Sequence, residues 1–136
     1  GIFASYPMFS YRQRSKCAAG SLKGDNFVMP DGTLAVNTWK LVGGIWYYFN
    51  AEGNRTRGWF QYGGKWYYFD GNGYMKTGWV NTGNGTWYYL NPDGDMKTGW
   101  LYDKNIWYYL NNDGSMAVNR SQDGWYLGAD GAGRKE

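Results

Sequence analysis

Tryptophans spaced seven or eight residues apart are the chemistry-bearing feature of this chain: Trp39 and Trp46, Trp59 and Trp66, Trp79 and Trp87, Trp100 and Trp107. Each second tryptophan opens a Trp-Tyr-Tyr run, ending at Tyr48, Tyr68, Tyr89 and Tyr109. Clustered ring faces attract cations and stack on sugars, but they neither transfer protons nor ligate metals. With no histidine in the chain, neither a Ser/His nor a Cys/His nucleophile pair can be assembled. Cys17 is the single cysteine, which excludes an internal disulfide and leaves no metal-ligand spacing. Asp93 and Asp95 form a close carboxylate pair, but in a Gly-rich connector they read as turn residues rather than as a glycosidase pair. A non-catalytic binding module is expected, with no cofactor and no metal.

These aromatics recur with a fixed period. Trp59, Trp79 and Trp100 are 20 and 21 residues apart, and such a period marks a small unit stacked on itself. Between the tryptophans lie Gly43-Gly44, Gly63-Gly64, Asn84-Gly85 and Asp103-Lys104-Asn105, residue types that accept positive φ in tight hairpins. Each unit therefore reads strand, turn, strand, connector, and the connectors repeat a second turn at Glu52-Gly53, Asn72-Gly73, Asp93-Gly94 and Asp113-Gly114. A Gly63-Gly64 turn pairs Trp59 with Tyr68 and Gln61 with Trp66. One face then carries Trp59, Gln61, Trp66 and Tyr68, and the other Phe60, Tyr62, Tyr67 and Phe69. The second face is the expected core, which makes Tyr47, Tyr67, Tyr88 and Tyr108 core candidates. A lone hairpin is marginal in water, so the fold class expected is all-β: a solenoid of stacked β-hairpin repeats with degenerate terminal caps. The repeat domain is assigned to residues 25–136, following a non-repeat segment at 1–24 that holds the charge run Arg12, Arg14 and Lys16.

Composition narrows the partner. Aromatic residues make up 21% of the chain and charged ones only 18%, while the mean hydropathy of −0.69 leaves no membrane-spanning stretch. The net charge of +3 comes from the ends: Trp39 to Met116 hold seven basic residues against six acidic ones. No basic track accompanies the aromatics, so nucleic acid is not the expected partner. Residues 1–24 lack the apolar stretch of a signal peptide, and Gly1 reads as an added residue with any export signal already removed.

The pattern Gly-Trp, a turn, Trp-Tyr-Tyr, then Gly-x-Met-Lys-Thr-Gly-Trp resembles the choline-binding repeats of bacterial cell-wall-associated proteins. It stands at Gly58 to Tyr68, Gly73 to Tyr89 and Gly94 to Tyr109, and the resemblance covers roughly residues 25 to 127. It implies an extracellular, surface-bound module that holds choline on (lipo)teichoic acids in aromatic cages between consecutive hairpins. Each implied cage takes two tryptophans from one repeat and a tyrosine from the next, often closed by a methionine. Carried over, the second joint would be Trp59, Trp66, Tyr89 and Met75, and the third Trp79, Trp87, Tyr109 and Met96. The first joint offers Trp39, Trp46 and Tyr68, but Arg55 stands in the methionine place and would repel a cation. The last offers Trp100, Trp107 and Met116, with Tyr126 or Trp125 as the substitute third ring. Two other readings remain open at this level: cell-wall carbohydrate (glucan) binding, and a structural spacer or self-association surface.

Overall fold

The computed structural model describes residues 20–136, so the readings of Cys17 and of the charge run at Arg12, Arg14 and Lys16 lie outside the described residues. Five hairpins follow one another: β1 (Ser21–Lys23) with β2 (Asn26–Val28), β3 (Thr38–Val42) with β4 (Ile45–Phe49), β5 (Gly58–Tyr62) with β6 (Lys65–Phe69), β7 (Gly78–Asn81) with β8 (Trp87–Leu90), and β9 (Gly99–Asp103) with β10 (Ile106–Leu110). A three-stranded sheet of β11 (Arg120–Gln122), β12 (Trp125–Leu127) and β13 (Gly133–Lys135) ends the chain. No helix occurs among the described residues. The first hairpin spans the expected boundary at residue 25, because its turn is Gly24-Asp25 itself.

The hairpins form where the sequence places positive-φ residues. Gly43 and Gly44 have φ of 58° and 81°, and Lys104 and Asn105 reach 49° and 70°. Two successive left-handed residues make the turn whose twist matches the flanking strands. The register is the expected one: Trp39 faces Tyr48 and Leu41 faces Trp46, Trp79 faces Tyr89, and Trp100 faces Tyr109. Each connector then folds back on its own hairpin, with isolated bridges Phe49 to Arg55, Phe69 to Met75, Leu90 to Met96 and Leu110 to Met116.

The described chain falls into two compact units, one running to Phe60 and including Tyr68–Met75, the other made of Gln61–Tyr67 and Lys76–Glu136. In the first, Phe27, Ala35, Tyr47 and Phe49 form a buried cluster with Leu22, Met29 and Tyr74 around it. In the second, Leu90, Leu110 and Leu127 are fully buried. The expected core face holds for Tyr47, Tyr67 and Phe69, all below 4% exposure, but not for Tyr62, which is exposed, and only in part for Phe60, which is half-buried. Tyr88 and Tyr108 are only half-buried. Truncating a fully buried leucine loses both its transfer free energy and its packing, about 2–4 kcal/mol. Leu110→Ala is therefore expected to lower the free energy of unfolding by that amount, seen as a lower urea midpoint in tryptophan fluorescence. A midpoint equal to wild type would show that this side chain is not core.

Candidate functional site

The strand alternation that builds each hairpin also decides which rings can meet. Tyr109 lies directly across from Trp100, so the two share a face, and their ring centroids are 5.0 Å apart. The same pair recurs as Trp79 with Tyr89 at 5.3 Å, Trp59 with Tyr68 at 5.0 Å and Trp39 with Tyr48 at 5.3 Å. The last tyrosine of each run therefore serves its own hairpin. The central tyrosine points to the opposite face, and Tyr108 comes to Trp79 of the preceding hairpin at 4.9 Å in an edge-to-face contact.

An open groove of about 290 Å³ results, lined by Trp79, Trp87, Tyr108, Met116 and Asp130. Trp87 is 41% exposed, so an indole face is available at the rim. Trp79 is fixed by its indole N–H, which donates to Asp103 Oδ2 at 3.1 Å. The phenol of Tyr108 is pushed up by burial and, in smaller measure, by the negative charges of Asp103 and Asp130. It thus stays neutral at physiological pH, an aromatic wall rather than an anion.

This arrangement differs from the expected set Trp79, Trp87, Tyr109 and Met96 by one ring and one methionine. The tyrosine differs because facing surfaces of consecutive hairpins come from opposite strand faces. The methionine differs because each connector reaches back one hairpin further than the repeat alone indicates. The Met116 N–H donates to the carbonyl of Trp87 at 2.8 Å, that of Met96 to Trp66 at 2.8 Å, and that of Met75 to Trp46 at 3.0 Å. Met116 therefore belongs with Trp79 and Trp87, not with Trp100 and Trp107.

The same offset removes Arg55 from the first joint. Its backbone N–H donates to Asp25, and its guanidinium lies 5.1 Å from the centre of the Tyr47 ring. The Nη atoms donate to Asn72 O at 2.7 Å and Gly24 O at 2.9 Å. The electrostatic expectation for Arg55 at the Trp39 joint is thus corrected: this cation sits on the N-terminal hairpin. The first joint is closed by packing instead. Trp39 is 3% exposed, enclosed by Trp46 at 6.3 Å, Phe60 at 6.5 Å and Phe69 at 5.8 Å. Of the second expected set, Trp59 and Met75 lie in the first unit and Trp66 and Tyr89 in the second.

At the C-terminal joint, Trp125 and not Tyr126 reaches Trp100, at 6.2 Å, while Tyr126 is 42% exposed. Leu127 is fully buried like Leu110, so Trp125-Tyr126-Leu127 is equivalent to Tyr108-Tyr109-Leu110. Trp107 completes the cluster at 6.1 Å from Trp100. The Trp100 indole donates to Asp123 Oδ2 at 3.1 Å, whose carboxyl is held below its usual range by hydrogen bonds from Gln122 and Trp100. In place of a methionine this joint has Gly133, whose position lies against the Trp107 carbonyl, and Lys135 Nζ stands 6.0 Å over the Trp125 ring.

Comparison with known proteins agrees with the repeat. The choline-binding repeat family matches residues 36–78, 57–98 and 76–121, and the chain belongs to that family. A search of curated proteins gives no match. Among solved structures, choline-binding protein F of Streptococcus pneumoniae superposes with a TM-score of 0.73 at 37% identity, covering 88% of this chain and 41% of that one. The choline-binding domain of Spr1274 from the same organism gives 0.55 at 44% identity, covering 59% of this chain and 96% of that one. The cell-wall endolysin of phage Cp-1, solved with choline, gives 0.63 at 36% identity, covering 87% and 38%. The fold class is therefore the all-β hairpin-repeat solenoid of these proteins, and the chain spans about two fifths of two of them.

The ring assignments can be checked without ligand. Tyr108→Ala is expected to shift the indole N–H resonance of Trp79 and leave that of Trp100 in place, whereas Tyr109→Ala does the reverse. Equal shifts of both indoles in both variants would contradict the face assignment.

Proposed function

We propose that this chain is a non-catalytic, extracellular cell-wall-binding module that holds choline residues of teichoic acids. The observation that supports this reading most is the groove of Trp79, Trp87, Tyr108 and Met116. A quaternary ammonium has no hydrogen-bond donor, so its recognition requires ring faces and a methyl-lined cavity. These four side chains supply both. A sugar would need several polar groups set beside the ring platform, and Asp130 is the one charged side chain of the lining. The endolysin of phage Cp-1 was solved with choline, which supports the same ligand class here.

Three ring contacts with a cation total about 4 kcal/mol, equivalent to a dissociation constant of ~1 mM. One groove is weak. The sequence repeats these residue types every 20 to 21 residues, and multivalency rests on that recurrence. On a polymer, avidity exceeds single-site affinity by about 10² to 10⁴. The joint at Trp39 and Trp46 adds little because Trp39 is buried. The joint at Trp100, Trp107 and Trp125 is the weaker of the open ones, since it lacks a methionine and carries Lys135.

Titration with choline, followed by tryptophan fluorescence, is expected to saturate in the millimolar range, with dextran producing a much smaller response. Trp87→Ala should lower the amplitude and weaken retention on choline-bearing teichoic acid, while polymer stripped of its choline should not retain even the wild type. A larger response to dextran than to choline would transfer the function to carbohydrate binding.

A further inference from the structure

Asp130 enters the groove from outside the aromatic repeat. It lies on the last connector, Gly128 to Ala132, a turn closed by Gly128 N–H to Ala132 O and Gly131 N–H to Gly128 O, both at 3.0 Å. One carboxylate oxygen, Oδ1, accepts the Ala132 N–H at 3.0 Å. Its other oxygen takes part in no hydrogen bond among the described residues. The turn is held against the groove by Met116, whose side chain occupies the space where a Cβ of Gly131 would stand, and Gly131 has φ of 84°. The methionine that floors the groove therefore also brings in the turn that carries the carboxylate.

The charge pattern around this groove is distinct. Asp103 caps the indole N–H of Trp79 at 3.1 Å, and both Asp103 and Asp130 raise the Tyr108 phenol behind the larger effect of burial. The terminal joint has the opposite character at its mouth, with Lys135 Nζ over the Trp125 ring. Ring faces by themselves favour a cation only modestly where water has access. A fixed carboxylate beside an ammonium adds a Coulombic term that a neutral ligand of the same shape does not experience.

We propose that Asp130 is a specificity-determining residue of the Trp79 groove, selecting a positively charged head group over a neutral one of equal size. The inference rests on the choline reading above and deepens it. It adds, to the preference of the aromatic wall for a cation, a discrimination between charged and uncharged ligands carried by the C-terminal turn.

The substitution that isolates this effect is Asp130→Asn. An amide oxygen can accept the Ala132 N–H as Asp130 Oδ1 does, so the turn is retained. The probes are choline and 3,3-dimethylbutan-1-ol, which replaces the trimethylammonium with a tert-butyl group of the same shape. Binding is read site by site from the indole N–H resonances of Trp79 and Trp87, with that of Trp46 as internal reference. At low salt, Asp130→Asn is expected to weaken choline about three- to tenfold and to leave dimethylbutanol within about twofold; high salt should shrink the difference for choline in the wild type. Equal losses for the two probes would show that Asp130 acts only through the turn and overturn the inference while leaving choline binding intact. Unchanged choline affinity in Asp130→Asn would do the same. If neither probe moves Trp79 or Trp87 in the wild type, the choline reading itself falls and this inference falls with it.

Discussion

A single backbone hydrogen bond, repeated once per period, fixes how each connector meets an earlier hairpin. Met116 donates to the carbonyl of Trp87, Met96 to Trp66 and Met75 to Trp46. Tryptophan at the start of the second strand is thereby tied through its main chain to a residue that arrives only after a further hairpin has been made. The bond satisfies a carbonyl that its own two-stranded sheet leaves unpaired, and it sets which side chains face one another. With Met116 in this place, its thioether lies over Gly131, and the groove acquires a floor and a carboxylate from one connection.

The aromatic residues divide their work according to strand alternation. Within a hairpin, the first tryptophan and the last tyrosine sit on one face and brace each other at 5.0–5.3 Å. Such pairs contribute about 0.5–1.5 kcal/mol each beyond their area burial, enough to rigidify a unit too small to have an interior of its own. The central tyrosine belongs to the other face. In the N-terminal unit it is buried as Tyr47 against Phe49 and Tyr74, and in the C-terminal unit Tyr108 lines the groove. One residue position thus serves as core or as groove wall, depending on what the neighbouring hairpin presents.

The ends differ from the middle for the same reason. Arg55 occupies a methionine position, yet it reaches the turn of the first hairpin, where Gly24, Asn72 and the Tyr47 ring receive its guanidinium. Arg57 adds a contact to the carboxylate of Asp25 at 2.9 Å, and that hydrogen bond holds the Asp25 carboxyl below its ordinary range. The N-terminal unit fills with its own cations and rings what the groove near Trp79 leaves open. At the C-terminal end, Gly133 and Trp125 stand where methionine and tyrosine stand elsewhere.

The sequence by itself determined the local structure. The 20- to 21-residue period, the hairpin turns, the pairing of Trp79 with Tyr89, and the burial of Tyr47, Tyr67 and Phe69 follow from turn chemistry and the two-residue alternation of strands, which act within a dozen residues. The residue types of the groove, two tryptophans with a tyrosine and a methionine, were also legible. Which tyrosine and which methionine were not. That choice depends on the rotation between successive hairpins, set by contacts some thirty residues apart such as Met116 with Trp87, and a periodic sequence looks the same under a shift of one period. Tyr108 instead of Tyr109 and Met116 instead of Met96 beside Trp79 and Trp87 are two consequences of that one hidden rotation, and it also decides between Trp125 and Tyr126, the two rings the sequence left open beside Trp100. Asp130 was hidden for a further reason: in sequence it is one more turn aspartate, and only tertiary packing of Met116 over Gly131 brings it to an aromatic groove.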